Sequence, residues 1–189
     1  MVTIRNIDET FRFYGSFGAD RQKTGNGTRF TFPDKSSYIR FWGDLHDFCV
    51  AAVDFTPPED VIFRSQIHQR YLGIGFHEEG RYLSYMRKSD VRESTAGINC
   101  FVLNSPAPHF LKLAKGQRLR FHGMYFQEQF FQENGVRLYD SFWEDAKCSI
   151  GSGEIHSPEL IEIYQRIERC PLTGEPFQIW MRGQGLAAA

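Results

Sequence analysis

The sequence lacks any long apolar run and any strong excess of charge of one sign. Its mean hydropathy is −0.42 and its formal net charge is −1. Because a membrane-spanning helix needs about 20 consecutive apolar residues, the pattern indicates no contact with a membrane. The N-terminal residues mix charged and aromatic side chains, unlike a secretory signal. We therefore expect a cytoplasmic protein whose 189 residues bind DNA negligibly by themselves.

Paired cysteine motifs are also missing. The four cysteines are widely spread and form no C-x-x-C pair, which excludes the usual zinc spacings: they are Cys49, Cys100, Cys148 and Cys170. Scattered cysteines favour reduced thiols over a disulfide framework.

Catalytic and phosphate-binding signatures are absent as well. No serine lies in a G-x-S-x-G motif. A hydrolase triad of Ser105, His109 and Asp140 is therefore supported only by the presence of these three residue types. The glycines of residues 25–27 lack the G-K-[ST] of a phosphate loop and are typical of a hairpin turn. The basic residues between 112 and 120 could meet an anion, although a solvated strand face is the simpler interpretation.

Aromatic residues are abundant at 15%, and eighteen of them are Phe. In the first 125 residues they lie in short apolar runs separated by turn residues, a pattern that predicts strands. The predicted strands are residues 11–17, 29–32, 38–42, 48–55, 71–77, 82–86, 100–103 and 118–125. Residues 48–55 (FCVAAVDF) are apolar on both faces, which indicates a strand covered on both sides. Gly80 predicts a hairpin turn with positive φ.

From residue 126 onward the apolar period becomes helical. Phe126, Phe130 and Phe131 have helical spacing up to a stop at Gly135. Another helix is predicted for residues 136–147. Ser157, followed by Pro158 and Glu159, predicts the start of a further helix. Pro171 ends that helix, and a last one follows and runs to residue 189 without a stop signal.

Two stretches resemble the N-terminal effector-binding and dimerisation part of AraC/XylS-family transcription regulators. Residues 70–85 and 94–113 are similar to the central strands of that family's cupin-like barrel. Residues 158–189 resemble the helix-break-helix segment that joins the barrel to the DNA-binding domain. The resemblance implies a mainly β protein with a cupin-like β-barrel over residues 1–125 and a helical dimerisation and linker segment over residues 126–189. It further implies that DNA is bound only by a helix-turn-helix domain beyond residue 189.

Metal-binding members of the cupin class carry H-x-H, a later Glu and another His, because an iron or manganese site needs several converging ligands. This sequence has six histidines and no H-x-H, and only His109 lies near an expected position. We therefore expect no metal, no cofactor and no enzymatic activity. The alternatives are a cupin-type carrier of small ligands and a metal-dependent cupin enzyme.

The resemblance places a small-molecule effector inside the barrel, where aromatic walls and a few polar groups would hold it. The abundance of aromatic residues in the first 125 positions predicts an aromatic or amphipathic effector. The candidate ligand-binding residues combine rings, one imidazole and one guanidinium: Trp42, Arg64, Tyr71, Tyr82, His109 and Phe121. Gly73 and Gly75, on the face of Tyr71, are expected to leave open space beside its ring.

An apolar stripe in the helical segment predicts a homodimer contact. Its four residues repeat at spacings of three and four, and they are Leu160, Ile163, Tyr164 and Ile167. The helix face that they form could cover the barrel, but residues 126–143 offer apolar surface for that purpose. We therefore expect the stripe to pair with its copy in a two-fold dimer.

Overall fold

The computed structural model describes residues 2–4, 7–44, 46–65, 71–85, 91–94, 97–103, 108–137, 151–152 and 157–188. Two kinds of element make up this part of the chain, strands mainly in the first two thirds and helices at both ends. The elements are β1 (Val2–Ile4), α1 (Ile7–Ser16), β2 (Asp20–Thr24), β3 (Gly27–Thr31), β4 (Tyr38–Gly43), β5 (Phe48–Phe55), β6 (Val61–Ser65), β7 (Tyr71–Glu79), β8 (Tyr82–Tyr85), β9 (Arg92–Ser94), β10 (Gly97–Leu103), β11 (His109–Leu113), β12 (Leu119–Gln127), α2 (Glu128–Glu133), β13 (Gly151–Ser152), α3 (Pro158–Arg169) and α4 (Gly174–Ala188).

The described strands form two sheets. One has the order β1-β6-β11-β8-β9, and the larger one has the order β13-β10-β7-β12-β5-β4-β3-β2. Side chains of both sheets share one hydrophobic cluster, to which β6 contributes Phe63, β11 contributes Leu113 and β5 contributes Phe55. The two sheets therefore pack face to face. The mainly β fold class with added helices is confirmed, and its described strands form a sandwich of two sheets and not a closed barrel.

The central strands of the larger sheet are covered on both sides. In β5, Ala51 and Phe55 belong to the cluster between the sheets, whereas Phe48 and Val50 belong to a second cluster that contains the helices. Successive side chains of a strand point to opposite faces, so a strand between two apolar layers needs an unbroken apolar sequence. FCVAAVDF is such a sequence, and β5 has the predicted bounds.

All but one of the predicted strands overlap an observed strand. The exception is residues 11–17, which lie mostly in the helix α1. Phe11 and Phe13 suggest alternation, but Phe13 and Phe17 are one helical turn apart, and their ring centroids lie 4.8 Å from each other. The strand prediction was wrong because both periods fit so short an apolar run. The helix directs Phe13 against Phe63 of the smaller sheet and Phe11 against Phe30 of the larger one.

The predicted hairpin at Gly80 is corrected in its topology. Gly80 has the expected positive φ of 93°. However, β7 lies in the larger sheet and β8 in the smaller one, so the turn passes the chain from one sheet to the other. The ring of Tyr82 consequently lies against His77, at a centroid distance of 5.0 Å.

The helical predictions hold in part. Phe126 belongs to β12, and α2 follows it and ends before Gly135, which has a φ of 72°. Ser157 caps α3 as predicted, because its side chain accepts a hydrogen bond from the backbone N–H of Leu160 at 3.4 Å. The helix predicted for residues 136–147 falls almost entirely outside the described residues. In the described part of the chain, no helix is long and apolar enough to cross a membrane.

The apolar stripe of α3 packs on the chain's own larger sheet, which corrects the predicted dimer contact. Ile163, Tyr164 and Ile167 are 1 to 4% exposed and share a cluster with Met124 and Phe126 of β12. The Tyr164 hydroxyl also donates a hydrogen bond to the backbone oxygen of Ile74, at 2.8 Å. With Leu160 half-buried beside them, these side chains leave no free stripe for a second copy.

This packing predicts that Ile167→Ala destabilises the isolated chain by about 2 to 5 kcal/mol, because it leaves a cavity in a closed core. Ile179→Ala is the matched control, since Ile179 is 69% exposed on α4. We expect the control to change the free energy of unfolding by less than about 0.5 kcal/mol. Urea denaturation of both variants measures the difference, and equal small losses would contradict the packing described above.

Candidate functional site

The inner faces of β7 and β12 meet at a pair of glycines under an aromatic ring. Gly75 lies opposite Gly123 in the strand register. A Cβ atom at Gly123 would lie 2.8 Å from Cε1 of Phe121, and one at Gly75 would collide with the same ring. Both glycines are therefore needed to seat Phe121 against the sheet. The space expected above Gly75 is occupied by this ring, which corrects the prediction of an open position.

His77 lies next to this ring and has no hydrogen-bond partner among the described residues. Its side chain is 2% exposed, and its ring centroid lies 4.7 Å from that of Phe121 and 5.0 Å from that of Tyr82. Both ring nitrogens are buried without a partner. Burial lowers the pKa of His77 to about 4, so the imidazole is neutral at physiological pH.

The smaller sheet contributes two more unpartnered polar groups. Ser84 of β8 lies opposite Leu111 of β11, and His109 is two residues from Leu111, so both side chains lie on the inner face. They are 2% and 8% exposed. In the part of the chain that the structure describes, neither Oγ of Ser84 nor Nε2 of His109 has a hydrogen-bond partner. Burial also lowers the pKa of His109 to about 4.

We call His77, Ser84 and His109 the interior polar group. Tyr82 and Ser84 share the inner face of β8, and Tyr82 contacts His77. The members of the interior polar group therefore line the same part of the space between the two sheets. A buried polar atom without a partner costs about 1 to 3 kcal/mol. Native interiors contain few such atoms, and several of them on facing strands are typical of a site that binds a polar molecule.

Two tyrosines and a thiol extend this interior along β7, β12 and β5. The ring centroids of Tyr71 and Tyr125 are 6.3 Å apart. Burial raises the pKa of Tyr71, of Tyr125 and of the Cys49 thiol well above their ordinary values. All three groups are therefore neutral, as are the interior imidazoles. The buried inner-face side chains described on β5, β7, β8, β11 and β12 carry no formal charge.

The charged residues of these strands lie on the opposite face or at its edge. Arg118 donates to both carboxylate oxygens of Asp54, at 2.8 and 2.7 Å, and Arg120 lies 3.0 Å from Glu78. Among the basic residues between 112 and 120, these two arginines are thus already in ion pairs on a partly solvated face. This agrees with the interpretation of that segment as a solvated strand face.

Four of the six predicted ligand-binding residues lie on the inner faces: Tyr71, Tyr82, His109 and Phe121. Trp42 does not, because it is buried in the helix-containing cluster. Arg64 does not either, since it follows the inward Phe63 and pairs with Phe110, whose ring stacks on Tyr85 outside the sandwich. The placement of Trp42 and Arg64 in the ligand site is therefore corrected.

The sequence analysis missed His77 and Ser84. The signal for His77 was present, because Tyr71, Gly73, Gly75 and His77 alternate along one strand and therefore share a face. The H-x-H motif of metal-binding cupins does not identify a single imidazole such as that of His77. Ser84 follows Tyr82 by two residues, so the same alternation identifies it once Tyr82 is placed inside.

The described inner faces offer few side chains that could bind a metal ion. They are the imidazoles of His77 and His109 and the thiol of Cys49, without a carboxylate. Among the residues that the structure describes, no three His, Cys, Asp or Glu side chains approach each other closely enough to hold a metal ion.

No family model matches this chain, and no curated protein matches it. Solved structures are similar to it at low identity. The AraC-like transcriptional activator CuxR has a TM-score of 0.47 and 11% identity, over 96% of this chain and 66% of that chain. The cupin domain of an XRE-family transcriptional regulator from Enterobacter cloacae has a TM-score of 0.36 and 12% identity, over 48% and 96%. An HTH_3-family transcriptional regulator from Vibrio cholerae has a TM-score of 0.37 and 14% identity, over 51% and 54%. Likenesses this distant leave the function to be argued from the site.

The buried imidazoles predict a loss of stability in acid. Between pH 6.5 and about 4 the unfolded chain binds protons that folded His77 and His109 do not, so stability falls as the pH falls through this range. The loss approaches about 3 kcal/mol per histidine. Urea denaturation at a series of pH values measures this loss of the free energy of unfolding. We expect about half of the loss in His77→Gln or His109→Gln, and little of it in the double variant.

His46→Gln is the control for this measurement, because His46 is exposed in the turn between β4 and β5. It should keep the full pH dependence. If the double variant of His77 and His109 also kept the full pH dependence of stability, the interior imidazoles would have to accept protons in the folded state.

A second prediction concerns the glycine pair. Gly75→Ala should destabilise the chain by about 1 to 3 kcal/mol, because the added methyl group displaces the ring of Phe121. In a Phe121→Leu background the same substitution should cost clearly less, which a double-mutant cycle in urea measures. Gly15→Ala is the control without a steric clash, because a Cβ atom at Gly15 would meet no atom within 4 Å. Equal costs of Gly75→Ala in both backgrounds would exclude the contact with Phe121 as its cause.

Proposed function

We propose that this chain is the effector-sensing domain of a cytoplasmic transcription regulator of the AraC type, and that it binds a small uncharged molecule between its two sheets without catalysing a reaction. The observation that carries the proposal is the interior polar group. Its unpartnered atoms lie between aromatic rings, which is the usual composition of a small-molecule site. The resemblance of residues 158–189 to the family's linker supports the regulatory role.

The chemistry of the interior favours a neutral amphipathic ligand. A neutral imidazole has one donor and one acceptor, and a serine hydroxyl can act as either, so hydroxyl or amide groups suit all three side chains. An anion would be buried beside groups whose low pKa values show that the site disfavours charge. The rings of Phe121, Tyr82 and Tyr71 suit an apolar or aromatic body. An aromatic or amphipathic effector is therefore part of the proposal.

The sheet connects the site to the helices. The inner side chains of β7 include His77, whereas its outer side chains Leu72, Ile74 and Phe76 pack in the helix-containing cluster. Tyr164 of α3 binds the backbone oxygen of Ile74. A ligand that binds one arrangement of these strands better than another shifts the population of helix positions. In this proposal the helices pass the signal to a helix-turn-helix domain that binds DNA, and the protein acts as a homodimer.

The runner-up is a metal-dependent cupin enzyme, and the buried, unpartnered ring nitrogens of His77 and His109 are the observation in its favour. Metal analysis of the purified protein distinguishes the two functions. Iron or manganese near one equivalent per chain, lost in His77→Gln and His109→Gln, would replace the sensor proposal by the enzyme. A cupin-type carrier would bind the same neutral ligands with no change in the helices.

Benzyl alcohol and benzoate test the ligand proposal, because they share a ring and differ in charge. We expect NMR titration with benzyl alcohol to shift signals of residues on β7, β8 and β12, and benzoate to have little effect at the same concentration. Ser84→Ala and His109→Leu should each weaken binding about 10-fold, the loss of one buried hydrogen bond.

Arg64→Ala is the control, because Arg64 lies outside the sandwich, and it should bind benzyl alcohol as the unchanged chain does. Preference for benzoate, or shifts confined to surface residues, would overturn the proposed site. A similar loss in Arg64→Ala would assign the binding to the outer face of the smaller sheet.

A further inference from the structure

Two arginines face each other on the helix-facing side of the larger sheet. Arg29 of β3 and Arg40 of β4 are direct partners in the antiparallel register. Side chains at such positions have Cβ atoms about 5 Å apart, and like charges there are destabilising. An arrangement of this kind needs a compensating group.

Aromatic rings hold both guanidinium groups in place. Cζ of Arg40 lies 4.5 Å from the ring centroid of Trp42, and Cζ of Arg29 lies 5.0 Å from that of Tyr38. Trp42 is 2% exposed, so its ring is fixed in the core. Stacking occupies the faces of the guanidinium planes and leaves their N–H edges available for hydrogen bonds.

The donors of these two arginines have no partner among the described residues. Neither takes part in a hydrogen bond or an ion pair there, and Nε of Arg40 is buried without an acceptor. Other arginines of the same region are paired: Arg118 with Asp54, Arg120 with Glu78, and Arg182 with Asp47. These three arginines are neutralised by carboxylates, whereas, in the described part of the chain, Arg29 and Arg40 are not.

One carboxylate lies near the pair. Burial and the charge of Arg29 lower the pKa of Arg40, while Glu168 of α3 acts in the opposite direction. Glu168 is exposed and makes no ion pair with either arginine. Glu168 therefore does not neutralise the pair by a direct contact.

We propose that Arg29 and Arg40 form a binding site for an oxyanion, the carboxylate or phosphate group of a small molecule. Guanidinium edges bind such groups bidentately, and the anion would offset the repulsion between the two arginines. The site lies on the opposite face of the sheet from the interior polar group. It also lies near the break between α3 and α4, because Asn26, in the turn before β3, donates to the backbone oxygen of Leu172 at 2.6 Å. An anion bound there would contact the sheet beside the helix junction.

Sodium phosphate and sodium acetate, titrated at constant ionic strength against sodium chloride, test the proposal. We expect one of the two to shift the Nε–Hε NMR signals of Arg29 and Arg40 and to raise the melting temperature. A response to phosphate alone assigns a phosphate group, and a response to acetate alone assigns a carboxylate. Arg40→Met, which keeps the packing on Trp42, should abolish the response.

Arg21→Met is the matched control, because Cζ of Arg21 also lies over a ring, 4.7 Å from the centroid of Phe11, but its register partner is Phe30. The response to anions should survive in this variant. Without added anion, Arg29→Met should melt no lower than the unchanged chain, because the substitution removes the repulsion. A merely structural arginine would lower the melting temperature when replaced.

Glu168→Gln decides between an external anion and an internal one. If the site takes an external oxyanion, the substitution removes a competitor, and the oxyanion that binds should bind several-fold more tightly. Binding that occurs only in Glu168→Gln would show that Glu168 is the partner of the pair and would overturn the proposal. Equal responses to phosphate, acetate and chloride would also overturn it, since they would reflect screening alone.

Discussion

Over most of their length, the central strands β5, β7 and β12 of the larger sheet are covered on both faces, because one side packs on the smaller sheet and the other on helices α2, α3 and α4. Each buried side chain of these strands is therefore either part of a hydrophobic cluster or a polar group that needs a partner. Asp54 meets this requirement through two arginines. His77 does not meet it within the described chain. The candidate site is thus the place where a buried polar side chain of these strands lacks the partner that it needs.

Much of the fold was predictable because apolar alternation identifies a strand without its partners. β5 has the bounds that its sequence predicts, and α3 begins at the capping serine that the sequence indicates. The errors arose where the outcome depends on distant contacts. The stripe of α3 fits a partner chain or the chain's own sheet equally well, and only the tertiary packing decides that Ile163 and Ile167 face Met124. β2 was missed because it is a fully exposed strand with no apolar pattern.

The two candidate sites differ in how far the sequence could indicate them. Tyr71 and His77 lie on one strand, so alternation alone places them on a common face. The pairing of Arg29 with Arg40 depends on the register of β3 against β4, which is set by the turn and by the neighbouring strands. Arg64, by contrast, was expected inside because of the family resemblance. A resemblance gives an approximate position along a strand, and an offset of one residue moves a side chain to the opposite face.

Because β5, β7 and β12 are buried on both faces, an odd or even residue number tells which layer a side chain packs against. On all three strands the buried residues with odd numbers face the smaller sheet, and the apolar residues with even numbers face the helices. Substitutions can therefore alter the interior between the sheets without touching the surface that holds the helices, and the reverse is also true. An odd or even position number thus separates two properties, the composition of the interior and the attachment of the helices, which can change independently within one sheet.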